Sequence, residues 1–580
     1  MTTTTTTTTT TSKADAGGRS ADHKTVGTLF IAVAMIFLVA TGVLALVLRA
    51  QLSAPDAGVV QGTTYRQLFT LHGVFGIFLF LAPAWIGLAT AMVPLQIGAS
   101  RLAFPRLQAF SLWILVAGAA AIVTSPFVSG ASVINGWALN TPLAEGPGRR
   151  GDALDLLILG LITVGVALLI AAVNLIVTIV KFRAPGLTQR RSPVFTWSVF
   201  VSSAVLLLAL PVLLGALAML FADRHYGGHV FNGFTGSGGG NAAMWPRLFW
   251  FAAYPLLWAL LLPALGVITE IVAVFSRRRL FDHGRALAAL GAVGVLAFAG
   301  WGSELSGLGN IRYAFAAGAL LVLLPVASLV LNWLATLGSA LADKSSRTGT
   351  VGARPDLRAV PMLHALGAIT VLAVGLLGAA ALAVRAGTGT QRTYWAVATQ
   401  HTLYFGTATF AIVAALHYWA PKLWGRHLGA GLGRIQFLLL LVGTQLAFLP
   451  MYVLGLQHMH IHLATYPADK GWEPANIAST IGASILGLAV LVLIVNIVLS
   501  VVLRYGREAE ADPWDGHTLE WATASPPPLH NFHAVPEVRS EAPVLDLAAA
   551  GISPVTSAPQ PEASSERETD AEPTPAGVSR

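Results

Sequence analysis

The sequence has no cysteine among its 580 residues and little charge: 11% Asp, Glu, Lys and Arg against 55% hydrophobic residues. The first absence excludes disulfides, thiolate-held zinc or iron–sulfur sites and covalently attached c-type haem. Any metal chemistry must use His, Asp, Glu, Met or Tyr. The second absence excludes an ordinary soluble protein, in which about 25% of residues are charged. Apolar stretches of 20 or more residues recur instead, each long enough to cross about 30 Å of hydrocarbon. The pattern predicts an all-α, polytopic membrane protein in contact with lipid and not with nucleic acid.

Apolar runs fall near 26–48, 68–93, 109–132, 155–180, 195–222, 246–274, 286–304, 310–341, 359–384, 393–420, 435–457 and 478–503. They predict a twelve-helix membrane domain over 25–505. Residues 1–24 form a Thr-rich segment without the charged and apolar regions of a signal peptide. Residues 506–580 are rich in Pro, Ala, Ser and Glu, with too few apolar side chains to fold alone. Both ends are expected to be disordered. Charge divides the same way: residues 1–507 hold 32 Lys and Arg against 14 Asp and Glu, and residues 508–580 hold 3 against 13. Basic residues near membrane ends collect on the cytoplasmic side. Placing the N-terminus inside puts 25 of the 35 Lys and Arg on inner segments, including Arg190, Arg191 and Arg277-Arg278-Arg279. The expectation is a multi-pass plasma-membrane protein with both termini cytoplasmic and an acidic cytoplasmic tail.

Most of the 15 histidines lie in loops or tails, but His72 and His401 fall inside helices 2 and 10. Both helices descend from the outer side, so the two imidazoles share a depth in the outer half of the bilayer. Polar groups there are costly and usually functional. Two neutral imidazoles facing each other are a common axial pair for haem iron; two histidines each bonded to a nearby carbonyl are the plainer alternative. His417, near the inner end of helix 10, reads as an interfacial residue, and Glu270, close to Arg277, as an interfacial salt-bridge residue.

The segments Asp22-His23-Lys24-Thr25, Leu71-His72-Gly73, Pro94-Leu95-Gln96-Ile97-Gly98, Phe104-Pro105-Arg106, Asn332-Trp333-Leu334-Ala335-Thr336 and Tyr418-Trp419-Ala420-Pro421-Lys422 follow one another in a distinctive order. Together they resemble subunit I of haem–copper terminal oxidases of the cytochrome c oxidase type, collinearly from about 20 to 505. The resemblance implies the family's twelve-helix bundle. It also implies that His72 and His401 are the axial ligands of the low-spin haem, and that Arg49 is the arginine that meets the formyl group of that haem.

The sequence departs from the family where oxygen is reduced. The family's His-Phe-His reads Thr399-Gln400-His401, so Thr399 stands at the high-spin haem ligand. Its His-Pro-Glu-Val-Tyr reads Tyr254-Pro255-Leu256-Leu257-Trp258, and its paired helix-7 histidines read Ser303-Glu304. All three copper ligands, the relay glutamate and the cross-linked tyrosine are thereby replaced. Arg101 and Leu329 stand where the family has the aspartate and lysine of its proton pathways. A cation at an entrance and an apolar residue in mid-path leave no titratable group to relay protons. The family's arginine pair at the haem propionates reads Ile461-His462, so His458, His460 and His462 become candidate propionate partners. Glu304 and Tyr254 fall where copper would have been, and a glutamic acid held neutral or bonded to tyrosine fits that place.

These substitutions imply a membrane haem protein that transfers electrons through one bis-His low-spin haem, of type A or B, in a respiratory assembly. Copper is not expected. Implied partners are other oxidase-type subunits, such as a subunit II-like chain, and a cytochrome c or quinol donor. The alternatives are a working terminal oxidase with an altered centre and a haem-free structural or assembly subunit.

Overall fold

The computed structural model describes residues 22–128, 136–139, 151–226, 229–231, 240–305, 308–342, 354–386 and 388–553. Eleven of its helices are long and apolar enough to cross a membrane: α1 His23–Gln51, α2 Gly62–Gln96, α3 Pro105–Phe127, α4 Asp152–Lys181, α5 Val194–His225, α6 Met244–Phe275, α8 Gly309–Ala342, α9 Val360–Val384, α10 Tyr394–Trp424, α11 Ala430–Leu456 and α12 Glu473–Val502. The twelfth apolar helix, α7 (His283–Leu296), is shorter. It stops before the expected 304, and the chain turns through Gly300 into a tight 3₁₀ turn at Trp301–Glu304. Gly302 packs there against Phe315, where a Cβ would lie 2.4 Å from the ring.

The apolar windows of α2 and α6 are buried on all sides and that of α10 nearly so, so these three helices form the centre of the bundle. Lipid tails are as apolar as leucine, and close backbone packing must supply the cohesion. The α1–α2 crossing has such an approach: a Cβ on Gly27 would lie 2.6 Å from the Gly87 carbonyl, and one on Gly87 would lie 2.8 Å from the Gly27 carbonyl. On its other flank α1 packs against α12.

The terminal segments differ from expectation. Residues 1–21 and 554–580 lie outside the described residues, but 506–553 do not form a disordered tail. They fold against the bundle end where α1 begins and α10 ends. Trp521 and Glu520 are fully buried, and the Trp521 indole N–H donates to the Tyr418 hydroxyl at 2.9 Å. The Lys422 ammonium donates to the carbonyls of Ala511 (2.7 Å) and Thr523 (2.6 Å). Asn531 donates to Ala99 O at 2.7 Å and pairs with His23. Arg277 pairs with Asp515, and Arg279 with Glu541 and Asp546. The acidic segment thus neutralises basic residues of the bundle, and it contributes apolar side chains that composition alone undervalues.

Candidate functional site

α2 and α10 each contain a wider, π-type stretch, Phe75–Leu81 in α2 and His401–Gly406 in α10. Such stretches redirect side chains and concentrate at functional sites. His72 lies one turn before the first, and His401 opens the second. The two imidazole rings face each other with centroids 6.0 Å apart and planes 5° from parallel.

Each ring is fixed by its Nδ1. His72 Nδ1 lies 3.0 Å from both the carbonyl and the hydroxyl of Thr41 on α1, and that hydroxyl in turn donates to the His72 carbonyl. His401 Nδ1 lies 2.8 Å from the Val397 carbonyl one turn back. A carbonyl requires N–H at Nδ1, which leaves the lone pair of each neutral imidazole on Nε2. Neither Nε2 has a protein partner among the described residues. Phe405 and Phe448 hold the His401 ring on its flanks, at 5.4 and 4.9 Å.

Both histidines line one cavity of about 700 Å³. Its walls are mainly apolar, among them Leu38, Phe69, Val397 and Leu440. Val39, Val43, Leu488 and Leu491 line it and are also exposed on the lipid-facing surface, so it opens sideways between α1 and α12. Arg49, at the end of α1, is the one cation among its lining residues. Asn476 on α12 orients it, accepting from Arg49 Nη2 through Oδ1 at 2.7 Å and through its carbonyl at 3.1 Å. Arg49 Nε is buried without a partner among the described residues.

The donor set fits haem. An ion bound by both Nε2 atoms at about 2.0 Å sets the ring centres about 6 Å apart. The cavity has the size of a cofactor pocket, and the orphaned Arg49 Nε is available to a formyl or carboxylate oxygen.

The sequence matches the profile of the family described as Cytochrome C and Quinol oxidase polypeptide I over residues 25–485. The chain belongs to this family. It is similar to the putative cytochrome c oxidase subunit 1-beta of Streptomyces coelicolor, with 37% identity covering 91% of this chain and 89% of that protein. It is also similar to the cytochrome c oxidase subunit 1 of Bacillus subtilis, 35% identical over 90% of this chain and 81% of the relative, and to that of Corynebacterium diphtheriae, 34% identical over 91% of each.

A second, smaller cavity of about 60 Å³ is lined in part by Tyr254, Trp258, Ser303, Thr399, Gln400 and Tyr404. That is room for a few water molecules. The Thr399 hydroxyl donates to the Trp395 carbonyl at 2.9 Å. Trp258 packs edge-on against Tyr404 at 5.4 Å and is 1% exposed. The side chain of Glu304 lies outside the described residues.

Several placements correct the sequence reading. His458, His460 and His462 do not line the 700 Å³ cavity; His462 instead packs edge-on against Phe69 at 5.4 Å. His417 is buried within the bundle and stacked on His364 at 5.5 Å. Glu270 makes no ion pair with Arg277: it accepts from Gln96 and from the Phe195 backbone. Sequence reasoning also missed Thr41 and Asn476, which hold His72 and Arg49. A small hydroxyl residue and an amide facing into a membrane bundle were the available signals.

Proposed function

We propose that this chain is an electron-transfer subunit of a respiratory assembly, carrying one low-spin haem between His72 and His401 and lacking the oxygen-reducing centre of its family. The carrying observation is the contrast between the two cavities: about 700 Å³ between two free imidazole nitrogens against about 60 Å³ beside Thr399 and Trp258. Bis-His haem supplies one-electron chemistry at a six-coordinate iron with no open position for oxygen. The residues of this chain supply orientation and environment. Thr41 and the Val397 carbonyl fix both tautomers and aim both Nε2 atoms inward. Arg49, braced by Asn476, directs positive charge at the cofactor edge and is compatible with a formyl group (type A) or a propionate (type B). The apolar walls exclude water and keep the local dielectric low, which strengthens the Arg49 interaction. The distribution of basic residues supports cytoplasmic termini, and family membership supports partnership with other oxidase-type subunits and a cytochrome c or quinol donor.

The test is a pyridine haemochrome assay with spectra of the reduced purified protein under carbon monoxide. One haem per chain, low-spin and unmoved by carbon monoxide, is expected. A high-spin haem that binds carbon monoxide, with cyanide-sensitive oxygen uptake lost in His401→Ala, would instead establish a working oxidase. A purified chain without a Soret band after haem-replete expression would favour the structural role.

A further inference from the structure

The end of the bundle that carries the folded tail holds two acids for which electron transfer has no use. Glu270, near the end of α6, is 7% exposed, and Glu520, in the tail, is 0% exposed. The side-chain amide nitrogen of Gln96, from α2, donates to both, at 2.8 Å to Glu270 Oε2 and 3.0 Å to Glu520 Oε1. Those two oxygens therefore lie within about 6 Å of each other, a range in which like charges strongly disfavour joint ionisation. The other donors are also neutral: the Phe195 backbone N–H to Glu270 Oε1 at 2.8 Å, the Trp419 indole to Glu520 Oε1 at 3.3 Å, and the Thr518 hydroxyl to the Glu520 carboxyl. Glu520 Oε2 is buried with no partner among the described residues.

Nearby cations are engaged elsewhere. Lys422 is held by tail carbonyls and lies over the Trp521 ring. Arg277 pairs with Asp515, and Arg279 with Glu541 and Asp546. No ion pair among the described residues includes Glu270 or Glu520. The remaining titratable groups around the pair are Tyr418 on α10, His283 on α7, and Asp512 and His517 in the tail. The Lys422 charge also acts on Glu520 but forms no ion pair with either acid, and two buried carboxylates this close strongly disfavour joint ionisation.

We propose that Glu270 and Glu520 form a proton-binding site that holds one proton between two carboxylates and thereby latches residues 511–546 to the membrane bundle. Burial correspondingly pushes the Glu520 carboxyl above the usual range. The proton exchanges with the aqueous phase through a cavity of about 40 Å³ beside Glu270, which reaches Arg279 and Glu541, 44% and 32% exposed. α6 contains no second acid to carry the proton onward, so the site loads and unloads from one side. Its loss places two negative charges across the seam between bundle and tail, and the seam opens. The acid pair lies apart from the large cavity, and in a haem-loaded protein the haem absorbance is an independent check of folding.

The test uses the full-length protein in detergent, with infrared spectra and hydrogen exchange of the 511–546 segment. A protonated-carboxyl C=O band that shifts in heavy water is expected in the wild type and is lost in both Glu270→Gln and Glu520→Gln. In alkaline buffer the wild-type tail should exchange faster than that of Glu520→Gln, whose neutral amide mimics the protonated acid. One proton released per opening makes that ratio grow by about tenfold per pH unit. A band unaltered by both substitutions, or equal tail exchange in wild type and Glu520→Gln across the alkaline range, overturns the proposal. Should Glu520→Gln lose its haem absorbance, Glu270→Gln provides the same comparison.

Discussion

Lowering the pH should release the tail through His517, and the size of the effect follows from its burial. His517 is 7% exposed. Its imidazole is lowered from 6.5 to about 4, first by burial and then by the positive charges of Arg279 and Arg277. When the tail is undocked the group is solvated and protonates as pH falls through 6.5; docked, it resists until about 4. The undocked state therefore binds more protons within that window, and docking is stronger at higher pH. The contribution is fully present at neutral pH, declines below 6.5 and is exhausted near 4. At about 1.4 kcal/mol per unit the loss reaches about 3.5 kcal/mol, or roughly 300-fold in the ratio of docked to undocked tail. Hydrogen exchange of 511–546, compared between wild type and His517→Gln at each pH, isolates this term, because other carboxylates that titrate in the window are common to both proteins. Equal acid sensitivity of the two would refute the reasoning. Together with the acid pair, which acts on the alkaline side, His517 makes docking strongest between two limits.

Replacing either proposed axial histidine should open a coordination position: His72→Ala and His401→Ala are expected to lose haem or to hold it high-spin with carbon monoxide binding, read from the Soret band. Arg49→Leu should retain the low-spin spectrum and lower the reduction potential in a redox titration, since a positive charge beside the cofactor favours the electron. Thr399→His should not restore a second haem, because the cavity beside it is about 60 Å³; a haemochrome count of one per chain checks this. Lys422→Met should weaken tail docking by about 1–3 kcal/mol, the value of hydrogen bonds to a charged group, seen as faster proteolysis of the tail.

The helices were legible because lipid imposes length and composition on each span separately, as in the uninterrupted apolar run of α4. That His72 and His401 come together was legible because an imidazole inside a membrane helix is costly, and because the motifs around His72 are specific. The folded tail was not legible. Its buried groups, Trp521, Leu519, Val538 and Val544, are scattered among prolines and acids and gain their burial only against the bundle, for instance Leu519 beside Gly98 and Val538 beside Gly186. The Glu270–Glu520 contact joins residues 250 positions apart through a third side chain, and no local pattern encodes that. The His417 contact was not legible for the same reason: its partner His364 comes from α9, and only packing brings the rings together.

The sideways opening of the large cavity between α1 and α12 changes what the cofactor competes with. A pocket facing water gains most of its affinity for a porphyrin from the removal of apolar surface. Here the competing occupant is a lipid chain, as apolar as the macrocycle, and little of that gain remains. Selectivity for a haem held there would then rest on what an acyl chain cannot offer: metal bonds to two imidazole nitrogens and a polar edge for one guanidinium. Loading by that route would need no unfolding of the bundle, only lateral exchange within the bilayer. The same opening makes retention of the cofactor sensitive to the surrounding amphiphile, so the choice of detergent is itself a variable in every haem count.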